Sequence, residues 1–225
     1  MKKSFLIIFG VLLVDQATKF WIKTNMFLGQ EFPILGNWFI IHFTENNGMA
    51  FGLELEGDFG KLFLSIFRIL AVTGIGWYLV LIIKKAMPAG LIVAVSLIFA
   101  GALGNIIDSA FYGLIFSDSS YRLATLFPTE GGYGKFLFGR VVDMLYFPVV
   151  QGHFPHWFPI WGSEQFIFFR PVFNIADSAI TIGIFTIILY QKSFFSMPVK
   201  AQENRVLLIN KENHDEQVHC FVSLS

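Results

Sequence analysis

The chain has 225 residues, 55% of them hydrophobic and 14% charged, with sixteen basic residues matched by sixteen acidic ones. Soluble domains average roughly 45–50% apolar and 25% charged residues, so a water-soluble globule is excluded and a bilayer is the expected solvent. A net charge of zero and the lack of any Lys/Arg run exclude a nucleic-acid partner, and the lone cysteine, Cys220, excludes an internal disulfide or a cysteine metal cage.

From the N-terminus, Met1-Lys2-Lys3-Ser4 and the apolar run that follows imitate a secretory leader. No small-residue cleavage site comes after it, and apolar character resumes beyond Asp15, so a retained anchor is expected. Residues 5–22, 62–83, 89–107 and 172–190 each approach the roughly 20 apolar residues of a membrane-spanning helix. The expected fold is an all-α membrane domain of four helices, residues 1–198, followed by a flexible cytoplasmic tail, residues 199–225.

Between the first two spans, residues 31–43 contain Trp38-Phe39-Ile40-Ile41-His42-Phe43, a stretch suited to a strand or small sheet at the membrane interface. This is the one β-containing subdomain expected, on the periplasmic side. Lys2, Lys3, Lys84, Lys85, Lys192 and Lys200 flank the spans on the opposite side. By the positive-inside tendency both termini are then cytoplasmic, with residues 23–61 and 108–171 outside.

Counting about 1.5 Å per helical residue puts Asp15 roughly 18 Å, Asn105 roughly 24 Å and Asp177 roughly 22 Å from the lysine-bearing side. Polar residues of three spans therefore share one depth in the outer half of a layer about 30 Å thick. Asp15 and Lys19 stand i, i+4 and can pair on one helix face. Asp143 leads back toward the membrane and Asp177 opens the last span. Two such carboxylates in a low-dielectric site have divergent proton affinities, and with one water they suffice for peptide hydrolysis. Taken singly, Asp177 could simply cap its helix and Asp143 could pair with Arg140 or Lys135. His153 and His156 have a metal-compatible spacing but no third ligand, so no metal and no cofactor is expected.

Five blocks, Asp15-Gln16-Ala17-Thr18-Lys19, Asn46-Asn47-Gly48-Met49-Ala50-Phe51-Gly52, Gly101-Ala102-Leu103-Gly104-Asn105-Ile106-Ile107-Asp108, Val141-Val142-Asp143 and Phe173-Asn174-Ile175-Ala176-Asp177, together resemble the signature blocks of the lipoprotein signal peptidases (signal peptidase II). The resemblance implies an aspartic endopeptidase in which Asp143 and Asp177 form the catalytic dyad. Asp15, Lys19, Asn46, Gly48, Asn105, Asp108, Asn174 and Ala176 form the supporting shell. The implied substrate is a prolipoprotein carrying diacylglycerol on its cysteine, cut just before that cysteine at the outer face of the bacterial inner membrane, in contact with membrane lipid. A monomer is expected.

The pattern departs from the family at Ser109, where an arginine is usual, and at Ala100, where a glycine is usual. Asp108 is therefore expected to draw a basic partner from elsewhere, Arg140 or Arg122. Residues 114–138 and 148–170 are longer than the family pattern and would form either a cover over the site or extra packing. A small transporter and a non-catalytic membrane scaffold remain as alternatives; against the first stand the absence of inverted repeats, the count of four helices and motifs gathered on one side, and the second would not require two aspartates converging at one depth.

Overall fold

A computed structural model of the chain describes residues 1–47, 57–148, 150–153, 156, 165–168 and 171–196. In chain order the elements are α1 (Lys2–Asn25), β1 (Glu31–Leu35), β2 (Phe39–Asn46), α2 (Gly57–Lys84) and α3 (Ala89–Ile107). A π-helical turn, Asp108–Tyr112, and the short α4 (Gly113–Ile115) continue α3; β3 (Val141–Tyr146), β4 (Val150–His153), β5 (Gln165–Phe168), β6 (Val172–Phe173) and α5 (Ile175–Phe195) follow. Four helical stretches among the described residues, Lys2–Asn25, Gly60–Lys84, Ala89–Ile115 and Ile175–Phe195, are long and apolar enough to cross a membrane. The four expected spans are all present. Residues 172 and 173, expected inside the last span, are instead strand β6.

The chain divides into two units, Met1–Ile187 and Ile188–Ser225. In the second, the described residues are the closing turns of α5 and Ser196, with the rings of Tyr190 and Phe194 packed 6.0 Å apart. The expected tail, residues 199–225, lies outside the described residues. Everything below concerns the first unit.

The helices are inside-out relative to those of a soluble protein. Phe5, Phe9, Leu13 and Trp21 of α1, Phe63, Phe67, Leu70 and Trp77 of α2, and Ile182 and Phe185 of α5 are exposed, whereas Asp15, Lys19 and Lys23 are buried. Apolar faces turned outward suit lipid, and charges turned inward avoid it. α3 packs against α1 and α2. Its small residues admit α5: a Cβ on Gly101 would overlap the Ala176 carbonyl oxygen and the Ile180 side chain, and Gly183 of α5 lies as tightly against Ala94 and Ile98. Without a hydrophobic drive between helices in lipid, such close approach is what gives their packing its energy. Gly101→Val is expected to destabilise the fold by at least the about 1–3 kcal/mol typical of overpacking, read as a lower unfolding temperature in detergent.

The ends of α1, α3 and α5 that adjoin the strands meet a four-stranded antiparallel sheet of order β1-β2-β3-β6. β1 and β2 form a hairpin whose turn begins at Gly36, with a positive φ of 54°. β2 pairs with β3 so that Thr44 faces Asp143 and Asn46 faces Val141, and β3 pairs with β6 so that Leu145 faces Phe173. The expected interfacial sheet is thus present, and it is larger than the hairpin region alone because β3 and β6 join it. A separate hairpin, β4-β5, pairs Val150 with Phe168.

One face of the sheet closes a core of Ile22, Met26, Phe43, Tyr112, Phe116, Ala124, Val142 and Met144. Residues 116–139 lie over this core as a cover that contributes Phe116, Ala124 and Tyr133 to it and leaves Tyr121, Phe127 and Phe136 exposed. Ala124 N–H donates to Lys23 O, Phe116 bridges to Leu126, and Gly139 N–H donates to Ser109 O. Beneath the cover the buried Lys23 ammonium pairs with Glu45 and donates to Ser119 Oγ at 2.9 Å. Arg140 Nη1 reaches Glu45 at 2.9 Å and Asp118 at 3.1 Å, with the guanidinium over the Tyr133 ring. Both ends of this ion network are compensated, so it ties α1, β2 and the cover together without leaving a buried charge alone.

Candidate active site

Alternation along β3 decides which way Asp143 points. Val142 and Met144 enter the core, so Asp143 turns to the opposite face of the strand, where α5 begins. β6 hands the chain directly to α5 through Asn174, which brings the first turn of that helix beside Asp143.

Asn174 is the N-cap of α5. Its Oδ1 accepts from Asp177 N–H at 2.8 Å, and Asp177 Oδ2 accepts from Asn174 N–H at 3.3 Å. This is a reciprocal capping box built from Asn and Asp, satisfying two of the helix's otherwise unpaired N–H groups. The same Asn174 donates through Nδ2 to Asp143 Oδ1 at 2.7 Å and to Asn105 Oδ1 at 3.2 Å. Asn105 Nδ2 donates to Asp177 Oδ1 at 2.8 Å, and Asn46 Nδ2 to Asp143 Oδ2 at 3.4 Å. One asparagine cap thus holds both carboxyls, and two further asparagines flank them with donors that add no charge.

The two aspartates differ in setting. Asp143 is 4% exposed, whereas Asp177 is half-buried at the rim. Burial, then the charge of Asp177, push the Asp143 carboxyl up to about 7, opposed by Asn174, Lys19 and Asn46. A protonated Asp143 beside Asp177 gives one group to donate and one to accept a proton.

Below the pair lies a buried charge cluster. Lys19 Nζ contacts Asp15 Oδ2 at 2.9 Å, Asp108 Oδ2 at 2.8 Å and Asn105 Oδ1 at 3.0 Å, so all three ammonium donors are used. Asp15 Oδ1 accepts Ala176 N–H at 2.9 Å, placing a carboxylate at the N-terminus of α5. Asp108 also accepts from Gln16 Nε2 at 2.9 Å and from Val142 N–H at 3.3 Å. The π turn at Asp108 aims this carboxylate at α1 and β3 together, as such turns often do at functional sites.

Ten site residues are expected from the sequence, and the structure gathers nine of them into one connected network: Asp143, Asp177, Asp15, Lys19, Asn46, Asn105, Asp108, Asn174 and, through its backbone, Ala176. Gly48, with the rest of 48–56, lies outside the described residues. Two expectations are corrected. Asp108 takes its basic partner from Lys19 of α1 rather than from Arg140 or Arg122, because the π turn faces α1 while Arg140 is engaged by Glu45 and Asp118. The alternative pairing of Asp143 with Arg140 or Lys135 is replaced by asparagine donors.

Sequence reasoning passes over three residues. Gln16 joins Asp15, Asp108 and Gly104 O, and is itself held by Tyr112 OH at 3.1 Å. Arg68 of α2 donates to Ser109 Oγ at 3.4 Å. An arginine within an apolar span is itself a signal, since such charges are rarely left facing lipid.

The chain matches the family model described as Signal peptidase (SPase) II over residues 7–193. It is 52% identical over 181 residues to the lipoprotein signal peptidase of Porphyromonas gingivalis, covering 80% of this chain and 78% of that protein. It is 37% identical over 194 residues to the lipoprotein signal peptidase of Amoebophilus asiaticus, covering 85% and 78%. Among solved structures, a bacterial membrane enzyme determined by the in meso method at 2.3 Å resolution aligns with a TM-score of 0.58 at 30% identity, covering 88% of this chain and 93% of that one.

Proposed function

The chain belongs to the signal peptidase II family, and from that premise we propose that its Asp143 and Asp177 are the dyad with which it cleaves lipoprotein precursors. It is a multi-pass membrane endopeptidase of the aspartic type that processes prolipoproteins. The bond cut is the one before the diacylglyceryl-modified cysteine.

In this reading Asp177, half-buried at the rim, takes a proton from the attacking water, while protonated Asp143 donates to the scissile carbonyl oxygen. The tetrahedral intermediate then collapses, with a carboxyl proton passing to the leaving amine. The observation that carries the assignment is the Asn174 cap, which holds both carboxyls from one residue, Asp143 through its side-chain amide and Asp177 through its backbone N–H. Asp15, Lys19, Asn46, Asn105, Asp108, Asn174, Ala176 and Gly48 support the pair by fixing rotamers and the N-terminus of α5. No metal or cofactor enters the step. Incubating the purified chain in detergent with a diacylated precursor peptide is the test. Release of the free signal peptide supports the reading, and its absence from a folded preparation overturns it.

If Asp143 is the donor, activity requires its protonated form. Its proton affinity is raised to about 7, so the acid is present below that value and lost as pH rises through it. kcat/KM, which follows the ionisation of the free enzyme, is expected to fall along an alkaline limb near neutrality, about tenfold per pH unit once deprotonation dominates.

The lysines that flank the spans in the sequence favour an inner-membrane orientation with both termini cytoplasmic, the site at the periplasmic face and 199–225 a cytoplasmic tail. Residues 1–198 then act as one monomeric protease domain. At that face the substrate's lipid stays in the bilayer while the scissile bond meets water. Reporter fusions check the orientation: one within residues 121–135 should report periplasmic, and one after Tyr190 cytoplasmic.

A further inference from the structure

Arg68 stands eight residues, about 12 Å, inside the apolar span that begins at Gly60. It lies on the face of α2 that meets the site. Lys61 donates to Asn47 Oδ1 at 3.1 Å, Ser65 Oγ donates to Leu137 O at 3.0 Å, and Arg68 Nη1 donates to Ser109 Oγ at 3.4 Å. The spacing of these three residues, with the buried Val72 continuing the row, is that of a single helix stripe.

Ser109 is 4% exposed and immobilised, donating to Asn105 O at 3.0 Å while its own carbonyl accepts Gly139 N–H at 2.8 Å. The hydroxyl that receives Arg68 is therefore a fixed point next to Asp108 and one helical turn from Asn105. The guanidinium held there interacts electrostatically with Asp177 first, then Asp143, then Asp108. The other cation of the site, Lys19, is committed to Asp15, Asp108 and Asn105. Arg68 thus brings a second positive charge, coupled to both dyad carboxyls, from a helix that supplies none of them.

We propose that Arg68 is a positioning residue for the Asp143–Asp177 pair. Its guanidinium, seated on the Ser109 hydroxyl, offsets the repulsion between two neighbouring carboxyls and so keeps both in one working arrangement. The proposal rests on the assignment of these aspartates as the dyad. Among the described residues the charged groups that weigh most on Asp143 are Asp177 from α5 and Lys19 from α1, with Asn46 of β2 and Asn174 as uncharged donors, and Arg68 from α2 adds a further positive charge coupled to it. A guanidinium's field favours the ionised carboxylate. Removing it therefore raises the Asp143 proton affinity and moves the alkaline limb of the rate profile to higher pH.

The test uses the full chain in detergent, with a synthetic diacylglyceryl precursor peptide as substrate, and measures kcat and KM across pH. Arg68→Gln is expected to lower kcat by about 10²-fold, the scale of a small misplacement of reacting groups, with KM nearly unchanged and the alkaline limb shifted upward. Arg68→Lys should keep the limb near its original position. Because Arg68 already reaches residue 109, Arg68→Gln combined with Ser109→Arg returns a guanidinium to the same neighbourhood and should restore much of kcat and the original limb. Binding of the peptide to each variant checks that the fold is intact.

Wild-type kcat and pH profile in Arg68→Gln would overturn the proposal. So would a loss confined to KM, or a loss of kcat with an unmoved limb that Ser109→Arg fails to repair. Asp143→Asn measured in parallel separates the two levels. If it cuts normally the dyad assignment is at fault, whereas if it is inactive while Arg68→Gln is normal, the role of Arg68 alone is lost.

Discussion

Asp143→Asn or Asp177→Asn, each made alone, is expected to remove nearly all cleavage of a diacylated precursor, and the double substitution should be little worse than either. Groups that share one step are strongly non-additive, because losing either member already prevents the proton transfers that the pair performs together. General acid–base catalysis by a positioned side chain contributes about 10²–10⁴-fold, so each single variant should fall by at least that range. Asn keeps the size of Asp and can still pair with Asn174, which holds the Asp143 side chain at 2.7 Å. Asp177→Asn is the harsher change for the fold, since Asp177 Oδ2 also accepts Asn174 N–H in the cap of α5. An amide oxygen can take over that acceptor role, so loss of chemistry and loss of the cap are separable by thermal unfolding. Near-normal turnover by either folded single variant would rule out the aspartic dyad assigned here.

Lys19→Met is expected to produce the largest loss of stability. Its ammonium and both partner carboxylates, Asp15 and Asp108, are fully or almost fully buried. Removing one member of a buried ion cluster typically costs about 3–5 kcal/mol, because the remaining charge is left without compensation. Here two carboxylates lose their common partner, and Asp15 also caps Ala176 N–H while Asp108 holds Val142 N–H. The damage therefore spreads to α5 and β3 together, and activity should disappear with the fold. Combining Lys19→Met with Asp108→Asn removes one of the stranded charges and should be less destabilised than Lys19→Met alone, a coupling expected of residues in direct contact. Equal unfolding temperatures for Lys19→Met and the unaltered chain in detergent would contradict the buried-cluster account.

Much of this architecture can be read before any coordinates are considered, and the reason is local. Spans are visible because apolar residues run uninterrupted, and the sheet region because Trp38 to Phe43 has strand character. Asp15 with Lys19 is visible because a four-residue spacing places both on one face. Partnerships that span helices are harder. Lys19 reads as satisfied by Asp15 on its own helix, and nothing in the spacing reveals that the same ammonium also serves Asn105 of α3 and Asp108 of the π turn. The π turn at Asp108–Tyr112 carries no proline or glycine within it to mark it, yet it decides which way Asp108 faces. Arg68 shows in the sequence only as a charge within an apolar span, and the partners that give it a place, on the π turn, β3 and α5, are not visible there. The Lys23, Glu45 and Arg140 network joins α1, β2 and the residues before β3, so no single segment displays it.

The capping box at Asn174 and Asp177 has a consequence for biogenesis. In order of synthesis, α1, the sheet strands β1 to β3 and the carboxyl of Asp143 all precede the last span. The asparagine that steadies Asp143, the partner carboxyl and the N–H that donates to Asp15 arrive only with residues 174–177. A nascent chain still lacking α5 therefore carries half of a dyad and an unengaged Asp15 carboxylate oxygen, and it cannot hydrolyse a peptide by this mechanism. If Asp143 and Asp177 are the dyad proposed above, proteolytic competence begins only when the final helix docks.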